Sequence, residues 1–127
     1  MSNDRIDAVS GVEDGTGWSP ERMMARLGGD EALTHQLVAL FLTECPRMMA
    51  DVRASVAQGS ADVVRRAAHA FKGSVSNFTD RGAVVTALEL EHMGREDRLA
   101  DAPATLARLE QDVAVLMSRL LEYEAGK

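Results

Sequence analysis

Residues 60–78 read SADVVRRAAHAFKGSVSNF, and the periodicity of this stretch decides the fold. At about 100° per residue, Val64, Ala67, Ala68, Phe71, Val75 and Phe78 fall on one face of a helix. Ser60 stands where an N-cap belongs, so the spacing predicts a helix from about Ala61 to Asn77 with one apolar stripe. His69 lies two residues before Phe71, on the far side of that helix, and is expected to project to solvent from a rigid element. Asp62, Arg65, Arg66, Gly73 and Ser76 share its face, with Lys72 on the flank.

The neighbouring stretches extend the pattern. Upstream, Ser19-Pro20-Glu21 reads as a helix start, with serine at the cap, proline where its missing N–H costs nothing, and an acid in the first turn. The short helix holds Met23, Met24 and Leu27 and stops at Gly28-Gly29. Asp30 then caps a long helix whose expected apolar stripe is Leu33, Leu37, Leu40, Phe41, Cys45, Met48, Met49, Val52 and Val56. Pro46 inside it predicts a kink or a short break, and Gly59 closes it. Downstream, Thr79 or Asp80 can start a fourth helix, running through Val84, Ala87, Leu88 and Leu90 to about Gly94. Asp101 caps a fifth, with Pro103 in its first turn, and Leu106, Leu109, Val113, Leu116, Leu120 and Tyr123 keep nearly heptad spacing along it.

No segment alternates apolar and polar residues with β-branched enrichment, so no strands are predicted. The fold expected is all-α: an antiparallel up-down four-helix bundle with a short N-terminal capping helix. Residues 1–18 are polar and aperiodic and are expected to form a flexible tail, leaving 19–127 for the bundle.

Composition narrows the function. A chain of 127 residues fits one domain with a core of its own. Aromatics are 4%, so Leu, Val, Ala and Met must fill that core, as suits helices. The net charge of −6 speaks against nucleic acid as the main ligand. No apolar run approaches the ~18 residues of a membrane span, and Met1 to Gly17 resembles neither a signal nor a transit peptide. Cys45 is the single cysteine and reads as a reduced core residue, so a cytoplasmic monomer is the default.

Three features of the His69 face suit phosphoryl chemistry. A solvent-exposed imidazole is largely neutral at pH 7, leaving a ring nitrogen free to attack phosphorus. Lys72 at i+3, with Arg65 and Arg66 one turn before, can offset the charge that a phosphoryl group brings. Gly73 at i+4 weakens a helix interior by about 1 kcal/mol against Ala, which makes sense where another surface must come close. A solvated face that happens to carry these residues accounts for the geometry equally well.

The run from His69 to Phe78, HAFKGSVSNF, resembles the histidine phosphotransfer (HPt) family signature: a histidine, two residues, then Lys-Gly-Ser. Leu27-Gly28-Gly29-Asp30, Phe41-Leu42, Ala67-Ala68 and Leu88-Glu89-Leu90-Glu91 resemble the family in place and spacing, so the likeness covers about residues 19–123. Thr79 departs from it, standing where the family usually has glycine.

The resemblance implies a phosphorelay carrier. His69 would be phosphorylated on Nε2, Lys72 would orient and neutralise the phosphoryl group, and Gly73 would clear space for the partner. Glu91 stands about where the family places a polar neighbour of the imidazole. The partners implied are response-regulator receiver domains and a hybrid sensor histidine kinase. Docking is expected around His69, with Arg65, Arg66 and Ser76, and on Met23, Met24 and Leu27 of the first helix, which equally suit an end cap.

No G-x-x-x-x-G-K-[ST] loop is present, so no ATP site is expected, and the divalent ion is expected to come from the receiver. Glu89-x-x-His92 is half of a di-iron motif without its other half, so no metal site is expected. The alternative from another class is a non-phosphorylated helical module that sequesters a receiver or kinase by contact alone. Retention of His69, Lys72 and Gly73 speaks against it.

Overall fold

The structure, a computed structural model, describes residues 18–126. Among them it has five helices and no strand: α1 (Pro20–Arg26), α2 (Glu31–Gln58), α3 (Ala61–Val75), α4 (Ala83–Arg95) and α5 (Ala102–Ala125). The expected tail lies outside the described residues up to position 17. Trp18, which the sequence assigned to the tail, is instead buried. Its indole N–H points at the Met23 sulfur at 3.3 Å, and its ring meets Tyr123 edge-on at 6.4 Å.

The local signals set the helix starts. The Ser19 hydroxyl accepts the Arg22 amide, an Asp30 carboxylate oxygen accepts the Leu33 amide, and Ser60 accepts from Val63. Gly59 ends α2 in the left-handed region, at φ 75°, which glycine adopts without strain. Asp101 stands at the α5 N-cap without a side-chain cap bond.

Cross-helix pairs fix the topology. Thr86 bonds Asp112 and Arg108 bonds Glu89, so α5 descends as α4 rises. His35 with Glu124 and Arg53 with Glu110 show the same for α2 and α5. The result is the antiparallel four-helix bundle, with α1 tied to the α3–α4 connection where Asp80 pairs with Arg22 at 2.6 Å and Arg26 at 3.0 Å.

Several expectations are corrected. Pro46 does not break α2, which runs through 28 residues; Phe41, Cys45 and Met49 are buried on both sides of the missing amide and hold the turn. Of the expected α2 stripe Phe41, Cys45, Met49 and Val52 are buried, and Thr34, Val38 and Ser55 complete that face in place of the leucines. Leu33 and Leu40 are exposed, while Leu37, Met48 and Val56 are half-buried. Thr34 and Ser55 can occupy core positions because their hydroxyls donate to the carbonyls of Asp30 and Val52.

The third helix stops at Val75, two residues early. The fourth starts at Ala83, because Thr79 is buried with its hydroxyl accepting the Arg81 amide and Asp80 is committed to α1. α4 ends at Arg95, about where expected, and Gly94 in its last turn is a buried contact. A Cβ there would lie 2.6 Å from the Arg65 nitrogen and 2.7 Å from the Ala61 oxygen, so α3 and α4 meet backbone to backbone.

The core is otherwise the expected one. Val64, Ala68, Phe71 and Val75 from α3 meet Ala87 and Leu90 from α4 and Leu109, Val113, Leu116 and Leu120 from α5. Cys45 is buried among them, and burial pushes its thiol up to about 11, so it stays protonated at neutral pH. No helix among the described residues is long and apolar enough to cross a membrane.

Candidate functional site

His69 sits midway along α3, on the side opposite Phe71, and its side chain is 65% exposed. The close approach at Gly94 brings α4 alongside this face, and Glu91, one turn before Gly94, reaches the ring. A Glu91 carboxylate oxygen, Oε2, lies 3.0 Å from His69 Nδ1 although Glu91 itself is only 3% exposed. Its other oxygen, Oε1, is 2.8 Å from the Lys72 ammonium, and Arg95 places a guanidinium nitrogen 2.8 Å from Oε2. A nearly buried carboxylate thus meets nitrogens of three side chains from two helices, two by hydrogen bonds at Oε2 and Lys72 by an ion pair at Oε1.

Burial pushes the Glu91 carboxyl up, but hydrogen bonds and charge from Lys72 and His69 more than offset it and hold it below the ordinary carboxylate range. An ionised carboxylate can only accept a hydrogen bond. The neutral ring therefore carries its proton on Nδ1, an assignment from the bonding network, and keeps the lone pair on Nε2. An imidazole oriented at one nitrogen and open at the other is a nucleophile with a fixed tautomer.

The other anticipated residues divide. Lys72 is half-buried and bound to Glu91, so it serves as that carboxylate's counter-ion as well as a cation beside the ring. Arg65 and Arg66 turn back one turn to share Asp62, at 2.9 and 3.0 Å, and the Arg65 hydrogen bond leads in holding the Asp62 carboxyl below its usual range. Ser76 is exposed at the end of α3, its hydroxyl donating to the Gly73 carbonyl at 3.0 Å. At Gly73 an added Cβ would meet nothing within 4 Å, so the space above it is open.

Met23 is corrected as a docking residue: it is fully buried beneath Trp18 and caps the core. Met24 and Leu27 are half-buried. The apolar surface beside the site lies instead between α2 and α3. There Leu37, Leu40, Phe41 and Met48 face Ser74, Asn77 and Phe78 across a groove of about 250 Å3, with Glu44 and Arg47 on its edge. Leu40 is 56% exposed there.

Sequence reasoning missed Arg95 and this groove. Arg95 stands at i+4 from Glu91, the spacing at which opposite charges meet on a helix, so the signal was present. The groove is hidden from the sequence because Leu37 and Leu40 fit the apolar spacing of a core stripe. No group of three metal-ligating side chains occurs among the described residues.

A family model described as Hpt domain matches residues 36–119. Among solved structures, the chain is similar to histidine-containing phosphotransfer protein B (HptB) from Pseudomonas aeruginosa PAO1. The TM-score is 0.80 at 22% identity, over 87% of this chain and 96% of that one, a likeness of fold. No curated protein matches the chain.

Proposed function

The chain belongs to the Hpt domain family, and from that premise we propose that His69 accepts a phosphoryl group from a phospho-aspartyl receiver domain and passes it reversibly to another. Hpt domains are phosphocarriers in two-component signalling, working with receiver domains and histidine kinases. The observation that carries the assignment to His69 is its geometry, an exposed ring held at Nδ1 by the buried Glu91 carboxylate at 3.0 Å.

In the forward step the Nε2 lone pair attacks phosphorus, the N–P bond forms, and the P–O bond to the aspartyl carboxyl breaks. Aspartate leaves as carboxylate and the ring keeps its Nδ1 proton. The ring then carries positive charge directed at Glu91, and Lys72 stands beside it to meet the phosphoryl oxygens. The reverse step returns the phosphoryl group to an aspartate, with neutral imidazole as leaving group. Phosphoryl transfer asks for positioning and charge stabilisation, and the divalent ion and acidic pocket are the receiver's contribution.

Docking covers Gly73, where open space admits a close surface, and the apolar groove of Leu37, Leu40 and Met48 beside it. Arg66 and Ser76 are exposed and Arg65 half-exposed on the same helix as His69, and the docking expected of them is part of this proposal.

The test is incubation with a phosphorylated receiver, for the native chain and for His69→Gln. Acid-labile, base-stable label is expected on the native chain alone. Equal label on the variant, or label on neither while binding persists, refutes the carrier reading.

A further inference from the structure

A carboxylate beside an imidazole has two effects that conflict in a nucleophile. It fixes the tautomer by accepting from Nδ1, and it also favours a second proton on the ring, which removes the Nε2 lone pair. Glu91 has both cations needed to balance this: Lys72 at Oε1 and Arg95 at Oε2, each at 2.8 Å. Arg95 shares Oε2 with His69 Nδ1 itself. Resting on the carrier reading for its function, we propose that Arg95 is a positioning residue acting through Glu91, balancing the carboxylate so that it fixes the His69 tautomer without drawing a second proton onto the ring.

The charged groups around the ring are few enough to weigh. On α3, Lys72 is bound to Glu91, and Arg65 and Arg66 are turned toward Asp62. On α2, Arg47 pairs with Glu44 and Asp51. On α4, His92 is exposed next to Glu91. Arg95 is the only arginine among the described residues that shares a carboxylate oxygen with the His69 ring. Its charge therefore bears on the ring more directly than that of the paired arginines.

Removing Arg95 leaves Glu91 with one cation fewer and takes a positive charge from beside the ring. Imidazolium becomes easier to form, so the ring should titrate at higher pH. One charge a few ångströms from a largely exposed ring is worth about half a pH unit, and less as salt rises.

The experiment follows the His69 ring by nitrogen-15 NMR over a pH series, in the native chain, Arg95→Gln and Arg95→Lys. In parallel, phosphoramidate serves as a small donor that bypasses any partner, and label on His69 is read across the same pH range. Arg95→Gln should move the ring's titration up by about half a unit and confine its labelling deficit to the acid limb, and Arg95→Lys should restore both. Superimposed titrations overturn the proposal. So does a deficit equal at every pH, which would mean that Arg95 binds the phosphoryl group directly. If the titration moves but the native chain takes no label from phosphoramidate or receivers, the Arg95 inference stands and the carrier reading falls.

Discussion

Two glycines lie inside helices facing opposite circumstances, and replacing each by alanine should move stability in opposite directions. A helix-interior glycine costs about 0.8–1 kcal/mol against alanine. At Gly73 the added methyl meets no atom within 4 Å, so Gly73→Ala should stabilise the fold by about 0.5–1 kcal/mol. For a chain of this size that is a rise in Tm of roughly 2–5 °C. At Gly94 the same helical gain is available, but the methyl would stand 2.6 Å from the Arg65 nitrogen and 2.7 Å from the Ala61 oxygen. These are backbone atoms and cannot swing aside, and overpacking costs about 1–3 kcal/mol or more. Gly94→Ala should therefore melt several degrees lower.

Circular dichroism melts and urea unfolding with unchanged m-value would measure both. A lower Tm for Gly73→Ala, or a higher one for Gly94→Ala, would refute the packing described. Gly73→Leu extends the comparison to function. Its label from phosphoramidate should persist while transfer from a phosphorylated receiver falls at least about tenfold, the equivalent of ~1.4 kcal/mol. Undiminished transfer would show that no partner comes close above Gly73.

Lys72→Ala should both slow transfer and destabilise the fold by about 1–2 kcal/mol, because the buried Glu91 carboxylate loses one of two cations; unchanged urea midpoints would contradict that ion pair. Glu91 has a lowered pKa in the folded chain, so its contribution to stability is present above the ordinary glutamate value of about 4.3 and is lost as pH falls through the folded value. Glu91→Gln should lack that component of acid unfolding, and parallel curves for the two proteins below pH 4 would remove it. Leu40→Lys should leave the melt within about 0.5 kcal/mol of native yet weaken receiver binding several-fold by titration, since Leu40 is 56% exposed on the groove. Full affinity would exclude the groove from the interface.

The bundle was legible because the buried Val64, Ala68 and Phe71 of α3 and Leu109, Val113, Leu116 and Leu120 of α5 stand at helical spacing, although at the start of α5 Thr105 is buried where Leu106 is half-exposed. For the long α2 the same counting finds Phe41, Cys45, Met49 and Val52 but misplaces the leucines. Thr34 and Ser55 hide their hydroxyls on their own helix and leave Leu33 and Leu40 to the surface, and no hydropathy scale encodes that exchange. His69 pointed outward as the periodicity demanded. The resemblance named Glu91 as its neighbour, and the contact is there at 3.0 Å, but the close approach of α4 to α3 that seats this carboxylate rests on Gly94, where the sequence marks no more than the approximate end of a helix. Lys72 and Arg95 then acquired a shared ligand that neither helix announces by itself.

The chain has one tryptophan, and it sits where α1 folds over the end of the bundle, beneath Tyr123 and against Met23. Nature has thereby fitted the molecule with its own fluorophore. Emission from Trp18 reads the seating of that end on the bundle, while His69 lies midway along a different helix. Unfolding at that end can then be followed by intrinsic emission, without attaching a dye near His69.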